Sequence, residues 1–277
     1  MNSSHRTSWI FGSLLAGLLA IRVYGISTDF WLDEIWVLNS LEQLNGFGEI
    51  FTRFRFPNNH LLNTCWMYAV YPQDGWIPYR LLSLLTGCGL LVLIGWQKDP
   101  RIRHTELLFI GGSYAMIILA SEARGYAPLV FFAYAAWRCL PDPSRPNGKR
   151  ILLFALCCVL GALAQATFIF FLGGAALSVL AKALQAKDRQ AALAQALRIL
   201  FIPLGSFAAV YLLFYRHLHA VIPKEIPYLD CLFTTVAHLF GQDDGSSSLR
   251  WILLGIFLLC NGWILRHSWQ RNRPQAI

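Results

Sequence analysis

Along most of the chain, apolar residues come in long blocks separated by short polar connectors. Eight blocks predict helices, near 8–26, 76–96, 105–121, 127–140, 150–165, 167–183, 197–215 and 250–265. Several reach the roughly 17–25 residues that a hydrocarbon core of about 30 Å demands. The apolar run 151–184 would be about 50 Å long as one helix, too long for one crossing. The polar break Gln165-Ala166-Thr167 near its middle divides it into two spans. The first block reads as a span and not as a cleaved signal, because Arg22 and Tyr24 follow LLAGLLAI with no small-residue cleavage site.

Two further stretches are amphipathic or short. Between Glu34 and Leu44, residues Val37, Leu38, Leu41 and Leu44 share one helical stripe, with Asn39, Glu42 and Gln43 largely elsewhere. That pattern predicts a helix lying along the membrane interface with its apolar face down. Residues 60–71, HLLNTCWMYAVY, are apolar but only 12 long, too short to span, and predict a second interfacial helix.

Composition moves the whole chain to one class. Of 277 residues, 56% are hydrophobic and 14% charged, with a mean hydropathy of +0.47. Soluble domains carry roughly a quarter charged residues. The expectation is an all-α polytopic membrane protein of about eight spans, a single membrane domain over residues 1–277. Within it, 8–215 would form a seven-span module, 216–249 a second long outer loop, and 250–277 the last span with a basic tail.

A net charge of +8 would also suit a nucleic-acid partner, but the cations sit in connectors between apolar runs and mark topology instead. With the N-terminus inside, the inner segments hold 15 of the 23 basic residues and only four of the 15 acids. The outer segments hold the remaining eight basic residues and eleven acids. Every inner connector is then basic, both termini are cytoplasmic, and 27–75 lies outside. The seven cysteines form no CxxC and no Cys/His cluster with zinc spacing.

Function is therefore expected on the outer face. STDFWLDEIWVLNS, residues 27–40, sets Asp29, Asp33 and Glu34 among tryptophans directly after the first span. Asp33 suits an N-cap for the following helix, with Glu34 favoured by the helix dipole; it also suits a catalytic base. ASEARGYAPLV (120–130) puts Glu122, Arg124 and Tyr126 at the junction of two spans. Charged residues at such places face a cavity or each other, and a Glu122–Arg124 or Asp33–Arg124 pair would meet that requirement by itself. Arg80 opens the second span, where it could snorkel to the interface. Tryptophans 31, 36, 66 and 76 read first as an aromatic belt. In the second loop His217 and His219 are two apart, share a face only on a strand, and with Lys224, Glu225 and Asp230 give no metal motif.

WLDE, then NNHLLNT, then YRLLSLLTG, then SEARGYAPL together resemble the membrane glycosyltransferases of the C-type fold. The similarity is to the branch with protein O-mannosyltransferases and lipid A aminoarabinose transferases. The matching residues are Asp33 and Glu34, then His60 and Leu61, then Arg80 and Ser83, then Glu122, Arg124 and Tyr126; Gln165-Ala166-Thr167 stands where relatives show a His-Tyr-Thr-like step. Leucines replace the family's prolines after His60 and before Ser83. The resemblance covers about residues 8–215 and implies a short form of such an enzyme in a bacterial inner membrane, its active site facing the periplasm.

What the resemblance implies is transfer of a sugar from a polyprenyl phosphate or diphosphate to a lipid, glycan or protein acceptor. The leaving group is already acidic, so the chemistry needs one base for the acceptor hydroxyl and cations for the phosphate, unlike the two carboxylates of glycoside hydrolysis. Asp33 is the expected base and Arg124 the expected phosphate ligand, with Arg80 and His60 as further cations. Glu34, His60, Arg80, Glu122, Arg124 and Tyr126 are the expected substrate-binding set. No metal ligands are expected, although the family leaves room for a divalent cation. Besides membrane lipids, a partner subunit is an expected associate. Two other classes stay open, a non-catalytic partner subunit and a transporter of polyprenyl-linked lipid. An enzyme would bring Asp33 and Arg124 together on one outward cavity; an inactive scaffold could hold them locked to each other.

Overall fold

A computed structural model describes residues 3–56 and 59–218, together with Gly255 and Leu259. Its main unit runs to Gly112 and from Met116 to Ala220; Ser113–Ala115 group with 221–277 in a second unit. Apart from Gly255 and Leu259, the expected last span and all but the first residues of the expected second outer loop lie outside the described residues.

Every regular element among the described residues is helical. In chain order they are α1 (Ser3–Gly25), α2 (Leu32–Leu41), α3 (Glu49–Thr52), α4 (Leu61–Val70), α5 (Ile77–Gly95), α6 (Pro100–Glu106), a π-helical turn (Leu107–Gly111), α7 (Tyr114–Leu119), α8 (Tyr126–Arg138), α9 (Gly148–Ala164), α10 (Phe168–Leu184), α11 (Arg189–Leu213) and a 3₁₀ turn (Tyr215–His217).

Local chemistry sets many of these boundaries. Asp99, Asn147 and Asp188 each turn a side-chain oxygen to a backbone N–H of the first turn of α6, α9 and α11, satisfying one orphan donor at each start. Pro78 and Pro100 sit in the first turns of α5 and α6, where no N–H partner is lost. Gln165 is extended (φ −163°, ψ 142°) and ends α9, so the polar break does divide the long apolar run.

One expected span is different. The block near 105–121 is α6, a π turn, a break at Gly112-Ser113, and α7. Its physical correlate is Arg22, wholly buried in α1, whose guanidinium donates to the carbonyls of Leu18 and Gly111. The Gly111 carbonyl at the end of the π turn thus has a buried donor in place of a helical one.

By length and composition, two described helices suffice to cross a membrane, Ile77–Gly95 and Arg189–His217. The apolar helices Trp9–Gly25 and Phe168–Leu184 are shorter, and α8, with 13 residues, is about 20 Å long. Leu152, Leu156, Phe170, Leu177, Leu197 and Phe201 on α9–α11 are nevertheless exposed, an apolar surface far beyond scattered single residues.

Helices α8–α11 share a core of small and apolar residues: Ala136, Phe154, Cys158, Ala162, Phe168, Leu172, Ala175, Val179, Ala192 and Ala196 among them. Phe168 lies against Gly161 so closely that a Cβ there would run into the ring, the close approach small residues permit between helices. A second core joins Leu18 of α1 to Leu90, Leu91 and Ile94 of α5, with Leu107 and Tyr134.

The segment expected to be the first outer loop, 27–75, forms a cap over one end of this assembly. Val37 and Leu41 of α2 pack with Phe54, Met67, Tyr79 and Ala123. Ile50 and Leu61 pack with Phe214 and Tyr215, and the Tyr215 hydroxyl donates to the Ala162 carbonyl at 2.6 Å. The stripe expected to lie face down on the interface, Val37 and Leu41 with Leu38 and Leu44, thus packs into the protein, and it is the opposite face of α2 that exposes Leu32, Ile35 and Trp36. Trp31 and Trp76 are also exposed, whereas Trp66 is partly buried and donates to the Pro78 carbonyl at 2.9 Å.

Candidate functional site

The site is organised by Glu34. Its carboxylate accepts from Nε and Nη2 of Arg80 at 2.9 and 2.6 Å, from the Ala123 N–H at 2.6 Å, and from the Trp31 N–H at 2.9 Å. The last contact caps α2, whose N-cap is Trp31. Asp33 is therefore inside the first turn and is not the cap; Glu34, at the third helical position, takes that task. The other two contacts tie α2 to α5 and to the 120–125 turn.

Arg80 is fully buried and does not snorkel. Beyond Glu34 it donates to the carbonyls of Ile26 (3.3 Å), Thr28 (2.6 Å) and Asp29 (2.8 Å), and its guanidinium lies 4.9 Å from the centre of the Phe30 ring. All three of its nitrogens are engaged, which corrects the expectation that Arg80 holds a phosphate: a guanidinium has five N–H donors, and here they close the end of α1 onto α5.

Arg124 is placed differently. Nη2 is 2.7 Å from Asp33 Oδ2, with the side chains 21% and 31% exposed. Nη1 is 3.6 Å from Glu122 Oε2, and the guanidinium stands 5.1 Å over the Tyr126 ring. The Arg124 carbonyl accepts from Ser83 Oγ at 3.0 Å, so α5 steadies the turn through a second residue beside Arg80. Both expected pairs, Asp33–Arg124 and Glu122–Arg124, are thus present, and both reach the partly exposed guanidinium.

His60 precedes α4 and is buried, its ring edge-on to Tyr126 at 5.0 Å. Neither ring nitrogen has a hydrogen-bond partner among the described residues. Burial and the Arg124 charge lower its pKa to about 4 against an opposing effect of the Gln165 side chain, so the ring is neutral at pH 7. It is not the second cation anticipated for a phosphate. Gln165 itself is brought to His60 by the α9–α10 break. Burial raises the Glu122 pKa, the nearby Arg124 charge opposes this, and Glu34 adds to it; proton retention suits a carboxyl in such surroundings.

The fit of the turn depends on Gly125. A Cβ there would overlap the Ala164 carbonyl oxygen and come within 2.8 Å of His60 Cβ. Only a residue without a side chain lets α4, α9 and the 120–125 turn approach so closely.

Three buried polar residues take on roles that the sequence reading did not assign. Ser83, one hydroxyl in YRLLSLLTG, holds the 120–125 turn. Asn59 donates to the carbonyls of Ile50 and Phe54 at 3.3 and 2.6 Å and shapes the loop before α4. Asn63, one turn beyond His60, has neither amide atom partnered among the described residues. The signal of Ser83 and Asn63 was a polar residue inside an apolar segment, the same signal Arg22 gives in α1; Asn59, between Asn58 and His60, gives no such signal. Among the described residues no three His, Cys, Asp or Glu side chains come together as a metal cluster.

The chain matches no protein-family model, no curated protein and no solved structure. The site's chemistry therefore rests on its own geometry: a partly exposed carboxylate and guanidinium in contact, above a buried ion pair that holds their backbones.

Proposed function

We propose that the chain is a polytopic membrane glycosyltransferase that moves a sugar from a polyprenyl-phosphate donor to an acceptor at the outer, periplasmic face. The observation that carries this reading is that Asp33 and Arg124, in contact at 2.7 Å, both stay partly exposed (31% and 21%) on a turn held by Glu34, so that the pair is open to a ligand. Membrane placement draws support from the two span-length helices, the exposed apolar faces of α9–α11 and the basic inner connectors.

In the proposed reaction the donor phosphate takes the Arg124 guanidinium, for which its oxygens compete well, and releases the Asp33 carboxylate. Asp33 accepts the proton of the acceptor hydroxyl. The hydroxyl oxygen bonds to the anomeric carbon as the bond from that carbon to the phosphate oxygen breaks, and the lipid phosphate leaves with the electron pair. Glu34 and Arg80 act as positioning residues, and Tyr126 orients Arg124 from below.

The same contact favours a second reading, a non-catalytic partner subunit in which Asp33 and Arg124 simply satisfy each other. Purified protein supplied with a panel of polyprenyl-phosphate sugars and monitored for lipid-phosphate release separates the two. The enzyme reading expects release that Asp33→Asn abolishes without loss of fold. Release unchanged by Asp33→Asn would remove the base, and no release with any donor would favour the partner subunit.

A further inference from the structure

At the opposite end of the helices, the α8–α9 connector and the α10–α11 connector enclose a cleft of about 710 Å³. Arg145, Lys187 and Arg198 line it, with Asp188 the one acid among its lining residues. The Asp188 carboxylate is already turned to the Ala191 N–H at 3.0 Å, capping α11. Among the described residues none of the three cations has a carboxylate within ion-pair distance. Three unpaired positive charges around one concavity repel one another, and the positive end of the α11 dipole adds to the field. An anion would relieve all of these terms.

The neighbouring surface says which kind. Ala194 of the cleft is followed on α11 by Leu197, Arg198, Phe201 and Ile202 at steps of three and four, so these residues share one stripe. Leu197, Phe201 and Ile202 are 67%, 77% and 53% exposed. A cationic cleft thus continues directly into an uncovered apolar stripe along a helix of membrane-spanning length. A small soluble phosphate would use the cleft and leave the stripe bare. A diacyl lipid with an anionic headgroup fits both, the phosphate among the cations and the acyl chains along Phe201 and Ile202.

We infer that this cleft is a binding site for an anionic phospholipid of the inner leaflet, in which Arg145, Lys187 and Arg198 hold the headgroup phosphate. The inference rests on the membrane placement of α11 and is independent of the reaction on the outer face. Basic residues on inner connectors are the general rule, so the test has to separate a site from diffuse charge.

The full chain, purified and delipidated in detergent, is titrated with phosphatidylglycerol, phosphatidylcholine and inorganic phosphate and followed by native mass spectrometry. Phosphatidylglycerol is expected to bind at least tenfold more tightly than phosphatidylcholine and to resist competition by millimolar phosphate. Each surface cation near an anionic lipid contributes about fivefold, so Lys187→Gln/Arg198→Gln should weaken phosphatidylglycerol by about 25-fold. The charge-matched pair Lys98→Gln/Arg101→Gln, on another inner connector, should leave it unchanged. All four side chains are exposed, and either single substitution in the cleft gives the same test at about fivefold. Equal affinity for the two lipids, equal loss in the control pair, or displacement by inorganic phosphate would each overturn the lipid site.

Discussion

Glu34 and Arg80, 46 residues apart in sequence, form an ion pair at 2.6 Å with both side chains fully buried. Burying two charges is costly, and the pair is sustained by the Ala123 and Trp31 N–H groups on one side and three backbone carbonyls on the other. Removing either partner leaves the other uncompensated. Glu34→Gln is expected to destabilise the fold by on the order of 3 kcal/mol, whereas Asp33→Asn, in a partly exposed pair, should cost about 1 kcal/mol or less. Thermal melts of the two variants in one detergent compare them directly; equal melts would remove Glu34 as the organiser.

Arg124→Lys keeps the charge but loses the planar fork that meets both Asp33 and Glu122. Donor binding should weaken by about 1.5–3 kcal/mol, the worth of one charge-assisted hydrogen bond, with little change in melting temperature. The measurement is the affinity for a polyprenyl phosphate in nanodiscs. Undiminished affinity would leave Arg124 a purely structural partner of the two acids.

Gly125→Ala should destabilise by about 1–3 kcal/mol, because the added methyl meets backbone at Ala164 as well as His60. Gly173, inside α10, has nothing within 4 Å of an added Cβ, and Gly173→Ala should be neutral or stabilising. Melts of the two alanine variants test the packing of the turn; a harmless Gly125→Ala would show that α4 and α9 are free to separate there.

Acid should loosen the site through His60. Its pKa falls from the ordinary 6.5 of an unfolded chain to about 4 on folding, so the unfolded state takes up a proton that the folded state resists. The stability it contributes is complete above pH 6.5 and fades towards pH 4, by on the order of 3 kcal/mol. Glu122 works in the opposite sense: its raised pKa means the folded state gains stability on the acid side. His60→Leu with Glu122 intact should therefore flatten the decline in melting temperature between about pH 7 and 5. An undiminished decline would place its cause in another group.

Topology is open to a direct test in a background without native cysteines. Glu49→Cys should react with an impermeant maleimide from outside intact cells and Arg145→Cys only after permeabilisation. The reverse pattern would invert the orientation and with it the proposed periplasmic site.

Much of the fold was legible along the chain because hydrophobic blocks and their punctuation are local. The α9–α10 break is written in Gln165-Ala166-Thr167, whereas α11 begins at Arg189 behind its Asp188 cap, well ahead of the expected 197. Helices α2 and α4 follow from the stripe at Val37 and Leu41 and from the brevity of 60–71. The broken block at 105–121 was not legible, because its apolar composition is the same whether the backbone runs straight or yields Gly111 to a buried Arg22.

The division of labour among the charges belonged to tertiary structure alone. Asp33 and Glu34 are adjacent and chemically alike, yet successive residues on a helix point about 100° apart. One therefore turns into the cap to meet Arg80 while its neighbour reaches Arg124 at the surface. Likewise, nothing in YRLLSLLTG or NNHLLNT states that Arg80 is wholly occupied or that His60 is neutral. Both follow from burial, which depends on the segments that close over a residue, and here those segments come from α1, the 120–125 turn and the end of α9. Sequence by itself determined which residue types gather at one end of the helices; only the packing decided which of them remain open to solvent, because solvation and pairing are properties of neighbours distant along the chain.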